Sequence, residues 1–193
     1  MARPRDLKNL FFYERKEVTR NLRSYRKRID QQDKDIVFVC IGSDRSTGDS
    51  LGPLVGTRLK ELGFENVYGT VKYPIHALNI KERLKEIEEK HPNRFVIAID
   101  ASIGSSERLF GIRVKTGPLK PGVGVGKKLP SVGDVSIVGI ICSDEEMRVN
   151  PSSFNMVRLS NVFDIVNEIV DTCIYLRKTA LSEEAAIAKD KKN

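Results

Sequence analysis

The chain has 193 residues, 40% of them hydrophobic and 31% charged, which fits one globular domain with a sizeable core and excludes a disordered polymer. No apolar run approaches the ~18–20 residues that cross a bilayer, and the basic start MARPRDLKNLFF lacks the apolar stretch of a secretion signal. A cytoplasmic protein with no membrane role is therefore expected. The formal net charge is +7, and 11 Lys/Arg against 5 Asp/Glu put +6 of it in residues 1–34, leaving +1 for the rest.

In that basic arm Leu7, Leu10, Phe11, Val18 and Leu22 recur at near-helical intervals, so residues 1–34 read as an accessory amphipathic helix. Tyr25 stands among Arg23, Arg26, Lys27 and Arg28. Such a cluster suits a phosphate backbone through counterion release, but a solvated helix face is the simpler reading, so a nucleic-acid partner is the disfavoured alternative.

From Asp35 short β-branched runs alternate with helical stretches. DIVFVCIG (35–42) is a strand buried on both faces, broken by the polar loop Ser43–Asp49. LGPLVGTRLKELGF (51–64) is a helix stopped by Gly63, and VYGTVKYP (67–74) a second strand ended by Pro74. ALNIKERLKEIEEKHP (77–92) is an amphipathic helix, and RFVIAIDA (94–101) a third buried strand. RLFGIRVKT (108–116) alternates as an edge strand does, GPLKPGVGVGKKLP (117–130) is loop, and VSIVGIIC (135–142) a last buried strand. A long helix over about 154–179 carries Phe154, Val157, Val162, Ile165, Val166, Ile169 and Leu176 on its apolar side. The reading is one α/β domain over 35–180 with a fraying tail at 181–193.

Active sites of doubly wound sheets form beyond the carboxyl ends of strands, where connections part to opposite faces. Asp49, in the loop after strand one, and Asp100, ending strand three, both fall in that zone. Two carboxylates sharing a crevice push their pKa values apart, so that one keeps a proton while the other activates water. Each has a plainer role open to it: Asp49 as a helix cap, Asp100 as an organiser of the Gly104–Ser106 turn.

Other motifs are weaker. GVGVGK (122–127) has Pro121 where a phosphate-binding loop needs Gly, and Lys128 where it needs Ser or Thr. It reads as a flap whose amides at Gly122, Gly124 and Gly126 can lie against substrate. Ser102, Ser105 and Ser106 have no histidine placed to activate them. His76 is expected to make a simple polar contact, and His91 ends a helix where a cation is favoured. Cys40, Cys142 and Cys173 form no C-x-x-C pair and read as buried small hydrophobes.

IGSDRSTGDSLGPLVGTRL resembles the first loop and helix of the germination protease and hydrogenase-maturation protease superfamily. IDASIGSSERLFGIRVKTGPLKPGVGVGKKL resembles the strand and following loop of the germination protease, and about Ile36 to Ile141 is similar to the sporulation protein YyaC family. The basic arm and the C-terminal tail lie outside that likeness. The resemblance implies a three-layer α/β/α fold with a five-stranded mixed sheet of order 2-1-3-5-4, strand four antiparallel. It implies catalysis by Asp49 and Asp100 on a protein or peptide substrate, in the forespore or mother cell of a spore former. Ser43, Asp44, Gly48 and Ser102 flank the pair as candidate substrate contacts, with Gly122, Gly124 and Gly126 of the flap. Hydrogenase-maturation relatives hold a metal with a histidine that the matching loop here lacks, so neither metal nor cofactor is expected. A non-catalytic relative that binds peptide in the same crevice is the alternative. The oligomeric state is left open.

Overall fold

The computed structural model describes residues 35–122 and 129–190, with side chains described to Tyr175. The basic arm and the flap residues Gly124 and Gly126 lie outside the described residues, as does the side chain of Leu176.

Strands β1 (Asp35–Cys40), β2 (Val67–Tyr68), β3 (Arg94–Gly104), β4 (Ile112–Thr116) and β5 (Val135–Ser143) form one sheet in the order β2-β1-β3-β5-β4. Every pairing is parallel except β4 with β5, so order and direction are those expected. Helices α1 (Leu51–Glu61), α2 (Ile80–Lys90), α3 (Asp144–Val149) and α4 (Leu159–Asp190) complete the described elements. None of these helices is long and apolar enough to cross a membrane.

The two-residue period of the strands divides the core into two layers. Ile97, Ile99 and Ile137 face one way and pack with Leu51, Val55 and Leu59 of α1 and Val162, Ile165 and Ile169 of α4. Val37, Val39, Val96, Ala98 and Val138 face the other way, against Ile80 and Ile87 of α2. Leu119 and Val132, bridged to each other across the base of the Gly/Pro-rich loop, share that second layer. A fully buried side chain of this size stabilises by ~1.5–3 kcal/mol, so the two aliphatic layers dominate the fold's stability. Cys40, Cys142 and Cys173 are free thiols inside the core, as their apolar surroundings implied. Burial pushes the Cys173 thiol up to about 12 and raises Cys40 as well, which leaves both inert.

Several elements differ from the pattern reading. VYGTVKYP pairs with β1 only over Val67–Tyr68; the chain turns at Gly69 (φ 86°), and Thr70 and Tyr73 exchange backbone bonds of 3.1 and 3.2 Å. It touches β1's extension again at Ile75, opposite Ile41. β3 runs on to Gly104, with a register break between Ser102 and Ile103. β4 starts late because Ser106–Arg108 forms a 3-10 turn and Phe110 takes φ 62°. The unexpected α3 is nucleated by a capping box, in which the Ser143 Oγ and the Glu146 carboxylate each bond the other's backbone N–H. Ser153–Asn155 forms its own 3-10 turn, so α4 begins at Leu159, and it continues through the stretch read as fraying to Asp190.

Candidate functional site

β1 hands its chain to a tightly stitched loop. Beyond Cys40, the Ile41 N–H donates to the Ile99 carbonyl (2.7 Å), Gly42 N–H to the Ile75 carbonyl (2.8 Å) and Ser43 N–H to the Asp49 carbonyl (3.0 Å). Gly42 has φ 141°, and a Cβ there would sit 2.0 Å from the Asp49 carbonyl oxygen. Only glycine lets the loop fold back this closely. Gly48 is buried, and its missing Cβ makes room for the Phe154 carbonyl at 2.2 Å. The outcome is a 3-10 turn, Gly48–Ser50, that carries Asp49 over the end of β1 and leads straight into α1. Ser50 occupies the cap position of α1 and no side chain caps it, so Asp49 is not a helix cap.

Asp100 comes from the neighbouring strand. β1 pairs with β3 as far as Cys40 opposite Ile99, so Asp100 is the first β3 residue beyond that pairing, while Val138 still flanks it on β5. β1 sends its connection into α1, against one face, while β3 leads away toward β5 and β4; the two aspartates stand at this parting. Asp100 Oδ1 accepts the N–H of Ala101 (2.9 Å), its own neighbour on β3, and not an amide of the 3-10 turn at Ser106–Arg108 beyond the strand.

The electrostatics separate the pair. Asp100 keeps a partly open face but is densely surrounded by protein. Burial, first, and the charge of Asp49, second, hold its carboxyl well above the usual range, against the pull of the Ala101 N–H. Burial also raises Asp49, countered by the Ser43 N–H and by the charge of His76. Ionisation of Asp100 is thus opposed more strongly than that of Asp49, by burial and by the neighbouring charge together.

His76 is the residue the sequence undervalued. Its N–H donates to Asn79 Oδ1 (2.9 Å), its Nδ1 accepts the Leu78 N–H (3.3 Å), and Asn79 Nδ2 donates to the Pro74 carbonyl (3.0 Å). That bond belongs to the neutral ring; protonation at Nδ1 gives it up, and it is the protonated ring whose charge favours the Asp49 carboxylate. The signal available in the sequence was Asn79, three residues on and just before a helix. His91 is elsewhere: it is buried, with Nε2 2.7 Å from the Tyr68 hydroxyl and Nδ1 3.5 Å from Asp35.

The remaining candidates scatter. Ser43 lies at the stitched loop and its Oγ accepts the Arg45 N–H (3.3 Å), while Asp44 is exposed. Ser102 follows Asp100 by two positions on β3, its Oγ donating to the Ile103 carbonyl (3.0 Å). Gly122 (φ 74°) belongs to the other loop, whose roots Gly117 and Asp134 are bonded to each other (2.8 Å) beside the start of β3. Among the described residues no three His, Cys, Asp or Glu side chains come together to hold a metal ion.

Residues 10–172 match the family described as "Protein of unknown function (DUF1256)". The chain belongs to this family. The match takes in most of the basic segment that the sequence reading placed outside its likeness. The chain is also 53% identical over 110 residues to the "Uncharacterized protein YyaC" of Bacillus subtilis (strain 168). That alignment covers 56% of this chain and 54% of the relative, so the chain spans about half the length of the curated relative it matches.

Proposed function

We propose that the crevice between the ends of β1 and β3 is the active site of a peptide-bond hydrolase, related to the germination proteases and acting in sporulation. The observation that carries this reading is the unequal pair: Asp49 from the loop beyond β1 and Asp100 from β3, both raised by burial, with Asp100 raised further by burial and by its neighbour's charge. Asp49 takes a proton from a water as the water oxygen bonds to the scissile carbonyl carbon. Asp100 donates its proton toward the carbonyl oxygen. As the tetrahedral intermediate collapses and the C–N bond breaks, the proton gathered by Asp49 leaves on the amine, and one of the two hydroxyls returns its proton to Asp100 as the C=O bond reforms, which restores both carboxyls. A pair whose environments set opposite protonation states supplies both partners of acid–base hydrolysis near neutral pH.

The test is cleavage of an unstructured peptide mixture, read by mass spectrometry. Asp49→Asn and Asp100→Asn should each lower turnover at least ~10²-fold, the usual share of a positioned acid or base. Cleavage that survives both substitutions would remove the hydrolase and leave a peptide-binding crevice.

A further inference from the structure

β3 outlasts one of its neighbours. β1 pairs with it as far as Cys40 opposite Ile99, and the last bond between them runs from the Ile41 N–H to the Ile99 carbonyl (2.7 Å). Gly42 then bonds Ile75 on its other side (2.8 Å), and the chain leaves the sheet for the loop of Asp49. β3 continues as far as Gly104, with β5 still paired to it there, Gly104 opposite Ser143. The sheet order gives β3 no neighbours besides β1 and β5, so residues 101–104 have one edge with no strand beside it.

The backbone groups of a strand in mid-sheet turn alternately to the neighbour on either side. The Val96 carbonyl accepts from Asp134, just before β5, and the Ile99 carbonyl accepts from β1. Ala101 and Ile103 therefore turn their groups to the side that β1 has left. The register break does not upset this, because its extra residue, Ile141, lies on β5. Two of the four groups are taken from within β3. Asp100 Oδ1 accepts the Ala101 N–H (2.9 Å), and Ser102 Oγ donates to the Ile103 carbonyl (3.0 Å). The Ala101 carbonyl and the Ile103 N–H have no partner on that side among the described residues.

This edge is accessible and it carries the site. Residues 101–104 are each partly exposed, whereas residues 96–99 before them are buried. The carboxyl of Asp100 stands on the same edge, since it holds the N–H that a neighbouring strand would otherwise take. An unpaired edge is a template for another strand, and strand addition is a recurrent way of holding an extended peptide. A strand laid there runs ~4.8 Å from β3, so its backbone passes against Asp100.

We propose that residues 101–104 of β3 pair with an extended segment of polypeptide substrate, which takes the lane that β1 gives up at Gly42 and so lies along Asp100. The inference rests on the reading of the crevice as one that acts on polypeptide, but its test needs no cleavage. Backbone bonds supply the attraction, so the ligand class is an unstructured segment of about four residues, ~13 Å when extended. Such a site tolerates many side chains and rejects proline, or any blocked amide, where the segment faces β3.

The probe is a hexapeptide of alternating serine and valine, acetylated and amidated so that it carries no charge for the basic residues to attract. It is titrated into the isotope-labelled full chain carrying Asp100→Asn, so that cleavage does not consume it. Amide spectra should show the Ile103 N–H shifting and its exchange with solvent slowing at least about tenfold at saturation. The same peptide N-methylated at two adjacent central residues, one of which faces β3 in either register, should bind at least about tenfold more weakly. Ile103→Pro removes the outward N–H without breaking the ladder to β5 and should weaken the unmodified peptide by a similar factor. Circular dichroism checks the fold of that variant; if it does not fold, the N-methyl comparison decides. No binding at ~1 mM peptide, equal binding of both peptides, or shifts that leave residues 101–104 unmoved overturns the proposal. So do Ile103 shifts that follow protein concentration and not peptide, the sign of edge pairing between two copies of the chain. Cleavage by the wild-type chain with Ile103 unmoved by peptide refutes the strand pairing alone. Pairing as described without cleavage refutes the hydrolase and leaves the edge as a peptide-binding site.

Discussion

Replacing Asp100 by Asn keeps the side chain's size and an oxygen to accept the Ala101 N–H, while removing a charge that burial and Asp49 both oppose. The folded-state pKa lies above the unfolded value of ~3.9, so the wild-type fold loses stability as pH rises from that value through the folded one, and does not recover it above. The Asn variant escapes this loss. Its advantage should be absent in acid below ~3.9, grow with pH, and level off once Asp100 ionises. Each ~1.4 kcal/mol of that plateau measures one unit of displacement, which at this length reads as ~3–6 °C in Tm. Asp49→Asn should gain less, because its carboxyl is raised less and His76 partly supports its charge. The double variant should gain less than the sum, since either change alone already relieves the mutual repulsion. Thermal melts across pH on the four proteins check all three statements. A Tm difference that does not depend on pH, or an Asp100→Asn protein less stable than wild type at neutral pH, would refute the shared-crevice electrostatics.

Because His76 lowers the Asp49 pKa, His76→Ala should move that carboxyl's titration upward, as followed by carboxyl NMR; an unmoved Asp49 would disconnect the two. Gly42→Ala places a Cβ against the Asp49 carbonyl at φ 141° and should cost at least ~2 kcal/mol, seen as a lower urea midpoint. Cys40 and Cys173 should ignore a thiol reagent at mildly alkaline pH in the native protein and react once it is denatured; rapid native labelling of either would contradict their burial.

Much of this fold is written in apolar runs. DIVFVC, RFVIAID and VSIVGIIC are buried on both faces and announced themselves as central strands, and RLFGIRVKT announced an edge. The order of the sheet came from resemblance, since periodicity says nothing about which strands are neighbours. The two aspartates were legible by position, one after each of two buried strands. What escaped were features set by contacts distant in sequence. β2 is cut short by a turn at Gly69 that its β-branched composition conceals. His76 gains its electrostatic role because Ile75 docks beside Ile41, a pairing across more than thirty residues that no local pattern encodes. α3 was a different kind of miss, since its S-x-x-E box lay in plain view.

The placement of α4 has a consequence for how the molecule is made. All five strands, and both aspartates, are complete by Ser143, yet Ile97, Ile99 and Ile137 owe much of their cover to Val162, Ile165 and Ile169. A ribosome adding ~5–20 residues per second needs roughly two to six seconds to pass from the end of β5 to the last of the described core residues on α4. During that interval the nascent sheet holds an open aliphatic face, the kind of surface that chaperones bind and that drives premature association. The pair of aspartates is thus encoded early, but the chain becomes safe from its own neighbours only when α4 arrives.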